Sequence, residues 1–382
     1  MHTPLFQLAQ RAATDAGFER IGVAPASHPE MRELEYFSEW IDAGYAGEMG
    51  YLKRRSDSGE YKRTSLEQAL PWAKSVVVVA INYNPPAPKS TEPAAATQGW
   101  ISRYALSPGD YHNTVLHKLR RIESALLEDL RTAGVEVMTR SYVDTGPVLE
   151  RVYAKYAGIG WVGKNTCIIN QQLGSWVFLG VIVTSLEHSA FVAEEKLAIA
   201  ADRCGSCTRC IDACPTEAIV APRQLDASRC IAYFTIEKRG AIPTEMREKV
   251  GRHVFGCDIC QDVCPWNRKS PITTNPDFLP DSSLVNPDLA QLARISEQEF
   301  RHRFRGSPMS RAKYAGFLRN VAIAMANSNR SEYVADLEEL AASEDPVVSD
   351  HAKWAINHLN AKKNQAQLSL LAEIAPSVAR SE

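Results

Sequence analysis

The sequence lacks a long apolar run, a dominant sign of charge, and cysteines spread along its length. Its longest apolar stretches, Val76 to Ile81 and Trp176 to Val183, fall far short of the roughly 18 residues a membrane span requires. No bilayer crossing is expected. Lys and Arg total 43 against 45 Asp and Glu, a net charge of −2, so an anionic partner must be met by a local patch. A wholesale nucleic-acid coat is thereby excluded. The first ten residues lack a basic start followed by an apolar segment, so a secretion signal is not expected and the cytoplasm is the expected compartment. With 45% apolar and 23% charged residues over 382 positions, the chain can bury a large core in two or three domains.

The first two hundred residues alternate helical and strand patterns. Leu5, Leu8, Ala9, Ala12 and Ala13 recur at helical spacing, and Ile21 to Ala24 predicts a short strand. Ser75 to Asn82 is a continuous β-branched run, the pattern of a central strand buried on both faces. Pro85 to Gly99 predicts an exposed loop. Val115 to Thr132 predicts an amphipathic helix, 135–143 a strand, 147–157 a helix and 176–186 a further strand. Pro271 to Pro287 has the composition of a linker. Beyond it, 316–326 and 347–359 predict apolar helices whose positions match in character at an offset of 31, Val321 with Ala352 and Ala324 with Ala355. Stacked helical hairpins and an ordinary helical subdomain both fit that pattern. Residues after Asn360 are expected to fray.

Eight of the nine cysteines lie between 204 and 264. In Cys204-x2-Cys207-x2-Cys210-x3-Cys214-Pro215, the bacterial ferredoxin run, three thiolates hold one [4Fe–4S] cube and the fourth serves another. Cys257-x2-Cys260-x3-Cys264-Pro265 repeats the run, with Val254 where the first ligand would stand, and Cys230 restores the count. The expected sets are Cys204, Cys207, Cys210 and Cys264 for one cube, and Cys214, Cys230, Cys257 and Cys260 for the other. Paired CxxC motifs also make tetrahedral zinc sites, but zinc does not require a three-thiolate run closed by Cys-Pro. Two neighbouring cubes imply one-electron redox chemistry. Cys167 stands apart, either an inert buried thiol or a nucleophile.

Three polar segments outside the clusters are candidates for the chemistry. Ser102 to His112 combines aromatics, charges and a Pro-Gly turn ahead of a helix, where Asp110 also suits a helix cap. Tyr142 to Arg151 places Asp144 between a strand and a helix, where an open α/β sheet binds ligands, although capping near Pro147 fits too. Tyr156 to Asn165 is glycine-rich and suits backbone approach to a large planar or phosphate-bearing ligand, without matching a nucleotide motif. Residues 301–319 carry Arg301, Arg303, Arg305, Arg311, Lys313 and Arg319 with no acidic residue. That segment is the local patch an RNA partner would need, or else a solvated basic face.

Taken together, Arg103-Tyr-Ala, Gly109-Asp-Tyr-His112, Tyr142-Val-Asp-Thr-Gly-Pro-Val-Leu-Glu-Arg151, Gly158-Ile-Gly-Trp-Val-Gly-Lys-Asn165, the eight cysteines and Leu318-Arg-Asn-Val-Ala-Ile-Ala324 closely resemble the epoxyqueuosine reductases, over nearly the whole chain. The resemblance implies an α+β or α/β fold with a nitroreductase-like cobalamin-binding domain over 1–192, and a ferredoxin-like two-cluster module over 193–272. It further implies HEAT-like helices for tRNA over 285–362, with a tail at 363–382. The implied activity removes the epoxide oxygen of epoxyqueuosine in the anticodon stem-loop of tRNA, using base-off cobalamin, two [4Fe–4S] clusters and an external low-potential electron donor. By the same resemblance Arg63, Arg103, Tyr111, His112, Asp144, Lys164 and Asn165 belong to the corrin pocket, and Asp144 is the proton donor, expected to be kept protonated near neutral pH by burial beside the corrin. Asp110-Tyr-His112 has Val115 where base-on cobalamin enzymes carry a motif glycine, which agrees with base-off binding. Lys238 and Arg239 extend the tRNA surface formed by Arg301, Arg303, Arg311 and Arg319. A reductive dehalogenase shares the electron logic but would lack the basic helical tail, and an electron-transfer adaptor would have no corrin pocket.

Overall fold

The computed structural model describes residues 3–193, 197 and 199–378. Two compact units form, and they do not follow the chain linearly. The first contains 1–91, 103–230 and 258–281, and the second contains 92–102, 231–257 and 282–382.

The first unit is built on four strands, β1 (Arg20–Pro25), β2 (Ser75–Asn82), β3 (Thr139–Tyr142) and β4 (Val177–Thr184), ordered β1-β2-β4-β3. Every pairing is antiparallel: Val78 lies opposite Gly22 on one side and Val181 on the other. The continuous apolar run of β2 therefore does not mark a parallel sheet. Its residues alternate between two buried faces. Val77, Val79 and Ile81 pack with Phe6, Ala9 and Ala13 of α1 (Pro4–Asp15) and with Val115, Leu119 and Ile122 of α3 (Tyr111–Thr132). Val76, Val78 and Ala80 pack with Val152, Tyr153 and Tyr156 of α4 (Glu150–Tyr156). Helices on both faces of an antiparallel sheet make this an α+β unit, so the rule placing ligands at the carboxyl ends of parallel strands does not locate Asp144. Between β1 and β2, α2 (Glu33–Asp42) lays Phe37 and Ile41 on Tyr61.

Several boundaries differ from expectation for identifiable reasons. Strand β3 starts at Thr139; exposed Met138 makes only an irregular pairing with Ser185, whose N–H donates to its carbonyl and whose Oγ accepts from its N–H, and Val135 is exposed. The segment 271–281 is no free linker in this unit, since Phe278 is buried in the core containing Phe178 and Ile122. Its Pro/Asn/Asp composition reflects a 3-10 turn, with Asn275 accepting from the Asp277 N–H.

The second unit is dominated by α5 (Lys313–Asn327), α6 (Val334–Ala341) and α7 (Pro346–Val378). α5 is apolar all round because it is enclosed: every residue from Gly316 to Ala326 is buried. α7 begins at Pro346, with the Asp345 carboxylate accepting from the N–H groups of Val347 and Val348. It does not fray at Asn360 but remains helical to Val378. The last four residues of the expected tail lie outside the described residues. Of the positions matched at the 31-residue offset, Val321, Ala352, Ala324 and Ala355 are fully buried. No helix among the described residues is long and apolar enough to cross a membrane.

Candidate active site

The site is assembled in the first unit at the amino terminus of α3 and the turn after β3. Asp110 caps α3, accepting from the His112 backbone N–H at 3.0 Å. The same Oδ1 lies 2.6 Å from His112 Nδ1. That contact holds the proton on Nδ1 and turns Nε2 toward Asp144, whose Oδ2 is 3.5 Å away. The contact is long for a hydrogen bond and leaves Nε2, which is buried, without a well-formed partner. The Tyr111 hydroxyl donates to the same Asp144 oxygen at 3.2 Å. Its ring is clamped between His112, with centroids 4.0 Å apart, and Phe178 of β4, at 4.1 Å.

Asp144 does not cap α4; it sits in the turn with φ of 54°, a left-handed conformation uncommon outside glycine. Gly146 makes that turn possible, since a Cβ there would meet the Tyr142 ring at 2.5 Å. Glu150, in the first turn of α4, accepts a hydrogen bond from the Asp144 backbone N–H and keeps Oε1 buried without a partner. Burial and the neighbouring Asp144 charge raise its carboxyl to about 7, against the smaller opposing effects of backbone hydrogen bonds and Arg63.

Asp144 is not buried; its side chain is 64% exposed. Partial desolvation pushes its carboxyl upward, but the close contact with His112 and its charge, the charge of Arg151 and the Tyr111 hydrogen bond outweigh it. Asp144 is therefore held below the ordinary carboxyl range and is ionised. His112 carries the proton: burial disfavours its charge, yet the Asp110 hydrogen bond, the longer Asp144 contact and the charges of both raise it to about 9. Burial foremost, then the Asp144 charge, keeps Tyr111 well above its usual value and hence a donor.

The remaining expected pocket residues are placed as follows. Arg103 is buried, and its guanidinium donates to Asn84 Oδ1 and Pro85 O at 2.7 Å and to the carbonyls of Ala87 and Pro88. It is committed to holding 84–88. Lys164 Nζ donates to Gly205 O and Asn165 Nδ2 to Cys260 O, tying the glycine-rich segment to the cysteine runs. Gly160 serves chain packing, since a Cβ there would meet Ile169 O at 2.3 Å. Arg63 lies over the Tyr51 ring at 6.0 Å. Cys167 has its thiol raised by burial first, with Arg151 opposing, and stays a protonated thiol.

Within the first unit Cys204, Cys207, Cys210 and Cys264 come together. Burial first and then the charges of its three companions raise the Cys210 thiol to about 11, and Cys264 is raised by burial and by Cys204 and Cys207. Trp161, Ile169 and Trp266 form an apolar shell around Cys204 and Cys264. Cys214 Sγ accepts from the Ala218 N–H at 3.3 Å. None of the nine cysteines, all among the described residues, is joined in a disulfide. Four neighbouring thiols fit a cluster, and each thiolate of a cube binds a different iron, so they need not crowd around one ion. Among the described residues no group of three or more ligating side chains converges at single-ion spacing.

In the second unit the expected RNA residues divide. Arg319 is 1% exposed, its guanidinium donating to the carbonyls of Phe234, Lys238 and Gly240, so it is a core residue and leaves the surface set. Arg311 pairs with Glu237 at 2.7 Å, and the Arg311 carbonyl accepts from exposed Arg239. Arg301 pairs with Glu297 one turn away and Arg303 donates to Ser283, both at the surface. The Lys238 carbonyl accepts from Arg319.

Sequence reasoning missed Glu150 and the pairing of Asp110 with His112. A first-turn glutamate and a helix cap each have an ordinary local explanation, and no signal separated them from it.

Residues 203–267 match the family described as 4Fe-4S double cluster binding domain, and residues 63–145 the family described as Epoxyqueuosine reductase QueG, DUF1730. The epoxyqueuosine reductase of Pseudomonas aeruginosa is 38% identical over 347 residues, 90% of this chain and 91% of that protein. A crystal structure of epoxyqueuosine reductase with a tRNA-Tyr epoxyqueuosine-modified stem loop is 32% identical with a TM-score of 0.79, covering 93% of this chain and 91% of the other. The Bacillus subtilis enzyme, in a structure with its aspartate catalytic loop swung out of the active site, is 30% identical with a TM-score of 0.78, covering 93% and 91%. The chain belongs to the epoxyqueuosine reductase family.

Proposed function

We propose that this protein reduces epoxyqueuosine to queuosine in the anticodon stem-loop of tRNA, with electrons supplied through two [4Fe–4S] clusters to base-off cobalamin. The observation that carries the reading is the Asp110–His112–Asp144 array with the Tyr111 hydroxyl on the same carboxylate. Deoxygenating an epoxide consumes two electrons and two protons and releases water. The eight cysteines supply the electron path in two sets, Cys204, Cys207, Cys210 and Cys264, and Cys214, Cys230, Cys257 and Cys260.

The orphaned Glu150 Oε1 and the under-bonded His112 Nε2 suit a ligand rich in amide groups, as the corrin periphery is. Cobalamin when bound would supply nucleophilic two-electron chemistry that side chains lack. Arg63, Tyr111, His112, Asp144, Lys164 and Asn165 border it, while Arg103 supports the wall from behind. In the resting site the proton sits on His112 and Asp144 is a carboxylate. Entry of a large ligand takes water from Asp144 and raises its proton affinity, the usual sign for a desolvated carboxyl. Asp144 then accepts the His112 proton and delivers it to the oxygen that gains negative charge as the epoxide opens. Tyr111 keeps the carboxylate aimed, and Asp110 retains the imidazole tautomer.

The architecture that accompanies this function is a nitroreductase-like catalytic domain over 1–192, a two-cluster module over 193–272 and a HEAT-like RNA-binding segment over 285–362. Arg239, Arg301, Arg303 and Arg311, with Lys238 beside them, meet RNA phosphates; an external low-potential donor reduces the clusters; and the cytoplasm is the compartment. The test is anaerobic conversion of an epoxyqueuosine stem-loop followed by nucleoside mass analysis. Wild-type protein converts it, whereas Asp144→Asn retains iron and bound cobalamin and forms no queuosine. Near wild-type conversion by that variant removes Asp144 from the role.

A further inference from the structure

Residues 53–63 carry a second concentration of positive charge that the site description leaves unused. Lys53, Arg54, Arg55, Lys62 and Arg63 are accompanied by only Asp57 and Glu60. The segment is a rigid hairpin. Lys62 N donates to Arg54 O at 2.9 Å and Ser56 N to Glu60 O at 2.8 Å, with Arg55 bridged to Tyr61. Tyr61 anchors it from below, buried against Phe37 and donating to Asp42 Oδ1 at 2.6 Å. Arg55 is spent on this anchor, over the Tyr61 ring at 3.9 Å and beside Asp42. Lys53 is spent on Gly47 O. Arg54 and Lys62 remain exposed and have no ion-pair partner among the described residues. They flank exposed Tyr51, over which Arg63 lies. Leu149, the residue before Glu150 at the start of α4, packs against the cluster that contains Tyr61, so the hairpin borders the active site.

We propose that the 54–62 hairpin, with Tyr51 at its base, is an RNA-contact surface that grips the anticodon loop beside the active site, Arg54 and Lys62 binding phosphates and Tyr51 stacking on a base. The assignment deepens the function proposed above and rests on it. Cations carried on a hydrogen-bonded hairpin need no ordering of the backbone to meet phosphate, and an exposed ring beside an arginine is a sequence-tolerant platform for an unstacked base. Backbone grip by this surface would leave the substrate base free to enter the site.

The test measures binding of a synthetic anticodon stem-loop, with and without epoxyqueuosine, to cluster-loaded full-length protein over a range of salt. Arg54→Glu with Lys62→Glu is expected to weaken binding of both RNAs about equally, roughly tenfold or more at low salt, and to make the slope of log affinity against log salt shallower by about 1.4, at about 0.7 for each lost single-strand phosphate contact. Tyr51→Ala weakens both RNAs severalfold and leaves the slope unchanged. Iron content stays at the wild-type level in all variants, because none touches a cysteine. Unchanged affinity and slope in the double variant, with wild-type protein still binding and converting the stem-loop, overturns the hairpin assignment alone. Failure of wild-type protein to bind either RNA overturns both this assignment and the proposed function.

Discussion

Replacing His112 by glutamine removes the positive charge that holds the Asp144 carboxyl below its ordinary range, and its effect can be worked from the array. Raising a histidine from 6.5 to about 9 corresponds to roughly 3 kcal/mol at 1.36 kcal/mol per pH unit. That figure is a ceiling, since the Asp144 side chain is largely in water and exposed ion pairs are worth about 1 kcal/mol or less. The Asp110 contact at 2.6 Å, with both side chains mostly sheltered, supplies the larger share, leaving about 1–2 kcal/mol. Because the folded state raises this histidine, the stabilisation is fully present below pH 6.5 and is lost as pH rises toward about 9. Wild-type protein should therefore lose about 1–2 kcal/mol of stability relative to His112→Gln across that window. In the variant the Asp144 carboxyl should rise toward its ordinary value. The assay is NMR titration of labelled histidine in the wild type, paired with unfolding of both proteins between pH 6 and 9.5. A His112 midpoint near 6.5, or unfolding curves that keep a constant separation across the window, would refute the assignment of the resting proton to His112.

Glu150 titrates in the folded state at about 7, above its ordinary 4.5, so its contribution is greatest below pH 4.5 and is lost as pH rises through 7. Glu150→Gln should be relatively more stable than wild type above pH 7, as read by thermal unfolding at pH 5 and pH 8. Arg319→Ala leaves the carbonyls of Phe234, Lys238 and Gly240 without their donor, at about 1–3 kcal/mol for each that stays dry. Its effect should appear as lost thermal stability, with RNA affinity at low temperature unchanged in the fraction that remains folded. Cys264→Ser removes one member of a single thiol set, so anaerobically loaded protein should fall from about eight irons per chain to about four.

What the sequence made legible was governed by local pattern. β2 was found to the residue because eight consecutive buried positions leave no other reading; α3 was found because Val115, Leu119, Ile122 and Leu126 recur on one face, although its first turn from Tyr111, which carries no apolar period, was not. The antiparallel order was not legible, since a strand covered by helices on both faces has the same composition in either kind of sheet. Phe278 was misread because one anchoring aromatic stood among turn residues. Arg319 was grouped with its basic neighbours although it is flanked by Leu318 and Asn320 in the fully enclosed stretch of α5, and that flanking was the available signal. The candidate site was legible as segments and not as an electrostatic arrangement. Asp144 was located, but the lowering of its carboxyl comes from His112 and Tyr111 at the start of α3, together with Arg151, and the two on α3 are distant from it in sequence.

The central claim is that electrons gathered by the two clusters reach a corrin beside Asp144 and there remove an oxygen atom from the modified base. It is tested most directly by incubating cluster-loaded protein anaerobically with epoxyqueuosine stem-loop and a low-potential reductant, with cobalamin present or omitted, and weighing the released nucleoside. The account predicts loss of one oxygen atom only when cobalamin is present. Equal conversion without it, or none with it from protein carrying its full iron complement, would contradict the account.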